Sequence, residues 1–317
     1  MTNIAKRYAI VFSTDEKYLC YLEVCLLSLI THLKKINRYD FIVLHKKLHK
    51  TKIRSFVKKF KNINIKFIDI DDYLNSICQT ELYIEIHVTE STYYRFLIPT
   101  ICKSYTKVLY LDCDLIFLDN IDCLFDEINI TGFEIAACID NREKIAFYQR
   151  HIVSNRYWND YIINTLKLDF PDRYFQAGVI LFNIQECINS NLEKRLFDKI
   201  KIIKDPILSD QDILNATIKH KYVAINARFN IEWQILFEFK NWEECVDSEF
   251  LEALKNPAII HYASSKKPWF FKSFPFSDIW WKYARKTDKY HLFQFYYFAA
   301  VTKRFIKSII KNKTFNR

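Results

Sequence analysis

The sequence predicts an α/β protein: a mixed, mainly parallel sheet flanked by helices, with a basic helical tail. Three observations predict it. Short apolar runs of strand character alternate with segments of helical period between Tyr8 and Ile70, the pattern of a parallel sheet covered by helices. Half of the 317 residues are hydrophobic and 17% are aromatic, which supports a large core and excludes a disordered chain. From Trp280 onward, aromatic residues interleave with lysine and arginine and carry much of the +10 net charge.

YAIVFS (8–13) reads as the first strand, a short run rich in β-branched and aromatic residues. YLCYLEVCLLSLITHLK (18–34) repeats apolar residues at three-to-four spacing, so it reads as a helix. FIVLH (41–45) and IKFIDI (65–70) are the second and third strands, TESTYYRFLIP (89–99) begins like a capped helix, and KVLYL (107–111) is a further buried strand. FEIAACI (133–139) and AGVILFNI (177–184) are strand-like, with residues 141–166 expected to be helical. LSDQDILN (208–215) opens another helix, and PAIIHYA (257–263) is a last short strand. No repeat or low-complexity linker divides this stretch, so residues 1–270 read as one domain and 271–317 as an appended tail.

Composition limits the chemistry. With two glycines, Gly132 and Gly178, neither G-x-G-x-x-G nor a Walker A loop can be written. Any bound phosphates must then be neutralised by a metal and basic side chains. The nine cysteines form no C-x-x-C pair and no zinc spacing, as expected of small core residues in a reducing compartment. The first residues lack a secretory apolar region, and no apolar run reaches about 18 residues. A cytoplasmic protein is expected, peripheral on the inner face of the plasma membrane if the tail lies on anionic lipid. The alternative for the tail is a helix packed on the domain with a solvated basic side.

Chemistry-bearing residues gather at the predicted strand ends. Asp112 and Asp114, flanking Cys113, close an otherwise apolar run, and ligands bind at the carboxyl ends of strands in open α/β sheets. Residues two apart on a strand share a side, so the carboxylates can share a hard divalent cation such as Mg²⁺ or Mn²⁺; a turn at Asp112 and a cap at Asp114 is the competing explanation. Ser13, Thr14 and Asp15 follow the first strand, where Asp15 is suited to accept hydrogen bonds from a base or ribose, or to cap the next helix. Arg95 among apolar residues needs an anionic partner, and Asp210, Gln211 and Asp212 offer more acceptors than a cap requires. His261 at a strand end, before Lys266 and Lys267, suits a third metal ligand beside phosphate-binding amines.

IVFSTDEKY, TESTYYRFLIP, KVLYLDCDLIF, YFQAGVILFN with LSDQDILN, and HYASSKKPW, in that order, resemble glycosyltransferase family 8, and the likeness covers roughly residues 8–270. The resemblance implies a GT-A type, Rossmann-like fold, a UDP-hexose donor, and Mn²⁺ or Mg²⁺ held by Asp112, Asp114 and His261. It also implies that Lys267 holds the diphosphate, that Ser13, Thr14 and Asp15 bind uridine, and that Arg95, Asp210, Gln176 and Ala177 fix the sugar. Gln211 matches the position facing the anomeric carbon, with Asp210 and Asp212 as alternatives for the retaining step. Two donor-site positions depart from the family: Lys17 stands for an asparagine, and Ser264 for a glycine. Gln176 likewise replaces an asparagine. The acceptor implied is a glycan or glycolipid of the lipopolysaccharide kind, with no nucleic acid partner expected. The rival functions are a haloacid-dehalogenase-like phosphatase, which Ile116 and the position of Asp112 fit poorly, and a non-catalytic basic module binding membrane or nucleic acid.

Overall fold

The computed structural model describes residues 8–77, 90–153 and 156–315. Thr89, at the start of one motif, Asn316 and Arg317 lie outside them. Among the described residues twelve strands occur in chain order: β1 (Tyr8–Ser13), β2 (Tyr39–His45), β3 (Asn64–Asp69), β4 (Lys107–Leu111), β5 (Leu115–Phe117), β6 (Ile135–Ile139), β7 (Ile152–Val153), β8 (Arg156–Tyr157), β9 (Phe175–Asn183), β10 (Val223–Ile225), β11 (Ile231–Glu232) and β12 (Ile259–His261).

The main sheet has seven strands in the order β10-β6-β9-β4-β1-β2-β3. β1 pairs parallel with β2 and β4, β2 with β3, and β10 with β6. β9 alone runs antiparallel, between β4 and β6. A three-stranded sheet, β11-β12-β5, lies beside it. β1 and β4 are near-continuous apolar runs because helices cover both faces. Ala9 and Val11 pack into one core layer, Ile10 and Phe12 into the other, as period-two alternation requires.

Three expectations change in detail. Asp112 and Asp114 do not extend β4; they form the link from β4 in the large sheet to β5 in the small one. Residues 141–166 are not one helix. Asn141–Tyr148 is helical, Arg150 takes a left-handed φ of 50°, the β7–β8 ribbon reverses the chain, and Trp158–Asn164 is a second helix. That second helix buries Trp158, Tyr161 and Ile162 on a face of its own, so continuing the first helix would have misdirected them. The segment carrying Arg95 is a 3₁₀ helix, Glu90–Leu97, followed by a short α-helix with Pro99 in its first turn.

Beyond residue 270 lie the helices Ser277–Ala284 and Tyr290–Phe315. Trp280, Trp281 and Phe293 are buried against the main core. Tyr21 stacks on Trp269 at 3.9 Å and on Phe293 at 5.6 Å between ring centroids. Phe295, Phe298, Phe305 and Ile306 are exposed. Among the described residues no helix is long and apolar enough to cross a membrane.

Candidate active site

The two sheets meet where β4 ends. Asp112 N–H donates to Gly178 O at 2.9 Å, and His261, last residue of β12, pairs with Leu115 of β5. This brings Asp112, Asp114 and His261 together, with one potential ligand atom from each within 4.8 Å of the others. His261 Nε2 lies 3.7 Å from Asp112 Oδ2 and 3.3 Å from Asp114 Oδ1. His261 Nδ1 lies 3.0 Å from the Asn230 side-chain oxygen. That contact takes the Nδ1 proton and leaves the Nε2 lone pair facing both carboxylates, the arrangement of a metal-ligating histidine with a fixed tautomer. Two carboxylate donors and one imidazole fit a divalent cation such as Mn²⁺ or Mg²⁺. Gly178 is part of the same fit. A Cβ there would press on His261 Cε1 and come within 2.8 Å of Asp112 Oδ2.

Lys267 Nζ donates to Asp114 Oδ2 at 2.5 Å and to Tyr262 O at 2.7 Å. Burial pushes the Asp114 carboxyl up, but the Lys267 ammonium outweighs it and holds it well below the usual carboxylate range. Arg95 is buried and joins the wall together. Its guanidinium donates to Asp112 Oδ1 at 2.9 Å and to Ala177 O, and its Nε lies 3.1 Å from Asp210 Oδ2. Burial, only partly offset by Arg95, pushes the Asp210 carboxyl up to about 6. Gln211 is held from both ends: Oε1 accepts from Ala177 N–H at 2.9 Å and Nε2 donates to Asp140 Oδ2 at 2.8 Å. Gln176 Oε1 accepts from Asn230 at 2.7 Å.

These groups line one cleft of about 380 Å³. Ser13, Arg95, Asp112, Cys113, Asp114, Gln176, Ala177, Asp210, Gln211, His261, Ser264 and Lys267 all border it. Ser13 Oγ is buried there with no hydrogen-bond partner. Ser264 has a left-handed φ of 70°, the backbone conformation that favours glycine, and it keeps that conformation despite its Cβ. Four other expected residues lie off the lining. The Thr14 hydroxyl donates to Asp15 O, Asp15 Oδ1 accepts from Tyr18 N–H at 2.8 Å as a local cap, and Lys17 is exposed. Asp212 is fully buried, its oxygens taken by the Tyr161 and Tyr174 hydroxyls, each at 2.6 Å, and by Leu208 N–H at 2.8 Å.

The model of the Glycosyl transferase family 8 matches residues 9–273. The chain belongs to glycosyltransferase family 8. Among relatives of this family 8 enzyme is general stress protein A of Bacillus subtilis (strain 168), 24% identical over 82% of this chain and 86% of that protein. The lipopolysaccharide 1,3-galactosyltransferase of Salmonella typhimurium is 24% identical over 84% and 74%. In fold, the chain resembles the bifunctional glycosyltransferase WbbM, with a TM-score of 0.78 and 24% identity over 93% of this chain and 52% of that one. It likewise resembles the galactosyltransferase LgtC solved with donor and acceptor sugar analogues, with a TM-score of 0.69 and 23% identity over 88% and 96%. The family 8 chain is thus a glycosyltransferase of GT-A fold, which displaces the phosphatase and non-catalytic readings.

Several cleft residues escaped the sequence reading: Asp140, Arg142, Glu143, Glu232 and Gln234. Their signals were present. Asp140 follows the strand FEIAACI just as Asp112 follows KVLYL, and NIEWQ (230–234) alternates polar and apolar residues at strand period.

Proposed function

We propose that the chain moves a hexose, galactose or glucose, from a UDP-sugar to a glycan or glycolipid acceptor with retained anomeric configuration. The observation that carries this reading is the Asp112–Asp114–His261 group, with the His261 tautomer fixed by Asn230 and the Lys267 ammonium alongside. Mn²⁺ or Mg²⁺ held by these three side chains would supply Lewis-acid neutralisation of the charge that grows on the leaving diphosphate. Lys267 is fixed beside that position and donates N–H to the same developing charge. Ser13, whose hydroxyl is unsatisfied, and Tyr18 border the cleft where the strand-end rule puts the nucleoside. Asp210, Arg95 and Gln176 offer acceptors and donors for hexose hydroxyls.

Gln211 is given the role of stabilising an oxocarbenium-like state during same-face attack. Its amide is locked by Ala177 and Asp140, and an amide oxygen with a second lone pair is a dipole that can face the anomeric carbon without forming a bond. Asp212, its oxygens committed to Tyr161, Tyr174 and Leu208, supports the helix start rather than the reaction. A lipopolysaccharide-type acceptor is favoured by the named activity of the Salmonella relative and by the exposed aromatic and basic residues of the last helix, which suit an anionic membrane surface. Incubation with a panel of UDP-sugars, with Mn²⁺ or EDTA, tests the reading. Release of UDP and hexose from at least one donor, abolished by EDTA, is expected; no release from any donor overturns it.

A further inference from the structure

Beyond Gln211 the cleft continues into a region that the donor reading leaves unused. Contacts lead along its wall from Asp112 through Arg95, Ala177 and Gln211 to Asp140. Asp140, Arg142 and Glu143 come from the end of β6 and the start of the next helix, Glu232 and Gln234 from β11 and the turn after it. Around the Arg142 guanidinium stand the carboxyl groups of Glu143 and Glu238, and Asp140 and Glu232 stand close by. The cations are Arg142 and Lys266, the latter 3.9 Å from Glu238. Four carboxyl groups thus stand against two cations, too few to hold all four ionised.

The hydrogen bonds do not close either. Asp140 is satisfied, Oδ1 by Glu143 N–H and Oδ2 by Gln211 Nε2, both at 2.8 Å. Glu232 Oε1 accepts from Gln234 Nε2 at 3.3 Å. Glu143 Oε2 and Gln234 Oε1 have no partner, although their residues are 2% and 1% exposed. A buried acceptor left without a partner forfeits its hydration with nothing in exchange. What would close this region is a group that carries positive charge, supplies several N–H donors and asks for none in return. A primary ammonium has all three properties. A hydroxyl brings no charge, and an N-acetyl group brings a further carbonyl to a site already rich in acceptors.

We propose that this end of the cleft binds the acceptor through a protonated primary amine held by Glu143, Glu232 and Gln234, so that the preferred acceptor is an amino sugar whose nitrogen is free. The inference rests on the glycosyl-transfer reading above. Burial, followed by the facing Asp140 carboxylate, holds the Glu232 carboxyl well above its usual range, in keeping with a site short of positive charge.

The test is calorimetric titration of the full chain, loaded with UDP and Mn²⁺ at about pH 6.5, with methyl glucosaminide and with methyl N-acetylglucosaminide. The amine should bind about tenfold more tightly. Glu143→Gln and Gln234→Leu should each cut that preference to less than threefold. Equal binding, tighter binding of the N-acetyl compound, no binding of either, or a preference that survives in both variants overturns the inference while leaving the functional reading in place. Failure of UDP itself to bind overturns both.

Discussion

Asp112 and Asp114 differ in company although one residue separates them. Asp112 is held by Arg95 and by the Tyr110 hydroxyl at 2.8 Å, whereas Asp114 is held by Lys267. Asp112→Asn keeps its shape and its Tyr110 contact but loses a ligand charge. Turnover should fall by about 10²-fold or more, and calorimetry should find UDP binding no longer strengthened by Mn²⁺. Unchanged turnover would return the pair to the status of a turn. Glu143 supports a pH prediction. Burial pushes its carboxyl up to about 8, with Arg142 opposing and Asp140 and Asp212 reinforcing. A raised carboxyl keeps its proton in the folded state where the unfolded chain has lost it, so stability falls as pH rises from about 4.5 to 8 and levels off above. Glu143→Gln lacks that loss. Its melting temperature should gain on wild type by about 2 °C or more between pH 5 and 8.5, and a constant gap over that range would contradict the assignment. At this scale the Asp112–Asp114–His261 group was legible because strand ends expose carboxylates in apolar runs. Asp212 was not. Two residues on from Asp210 in the helix Ser209–Ile218, it turns nearly to the opposite side and meets tyrosines.

Among the elements, β9 carries the least obvious constraint. It is the antiparallel strand inserted between β4 and β6, and its Gly178 lies behind the metal group, where a side chain would strike His261 and Asp112. Gly178→Ala should therefore weaken Mn²⁺-dependent UDP binding about tenfold or more and lower stability by roughly 1–3 kcal/mol. Denaturant unfolding and UDP titration measure the two effects, and normal values of both would mean that the cluster relaxes without cost. The strands β1, β2 and β4 were readable because burial on both faces leaves continuous apolar runs, whereas the edge strand β3, none of whose residues is fully buried, was readable from Ile65 and Phe67 alternating with polar neighbours. β5 and the β7–β8 ribbon were not readable, since two or three residues carry too little period to register. The break after Tyr148 depends on Arg150 in a left-handed conformation, which an arginine does not announce.

At the scale of the molecule, the family 8 match ends at Ser273, while buried packing runs on through Trp280, Trp281 and Phe293. The exposed part of the last helix presents Phe295, Phe298, Phe305 and Ile306 with Lys303, Arg304 and Lys307. If this face lies on anionic lipid, Phe298→Ser with Phe305→Ser should cut sedimentation with phosphatidylglycerol vesicles severalfold and leave binding of UDP unchanged. Equal sedimentation of the variant would assign the face another partner. The sequence showed a basic aromatic tail but not where it becomes free of the core, because Trp280 and Phe295 belong to the same residue class and only packing separates them.

The segment after β12 ties these scales together. Within a few residues it passes from His261 to Lys267, bonded to Asp114, and then to Trp269, stacked on Tyr21, while Trp281 Nε1 donates to Pro268 O at 3.0 Å. One end of this short tether is fixed beside Asp114 and the other is moored among the aromatic rings from which the last helix departs. The rings that seat the start of the last helix and the hydrogen bond that places Lys267 beside Asp114 therefore fall on one short stretch of chain.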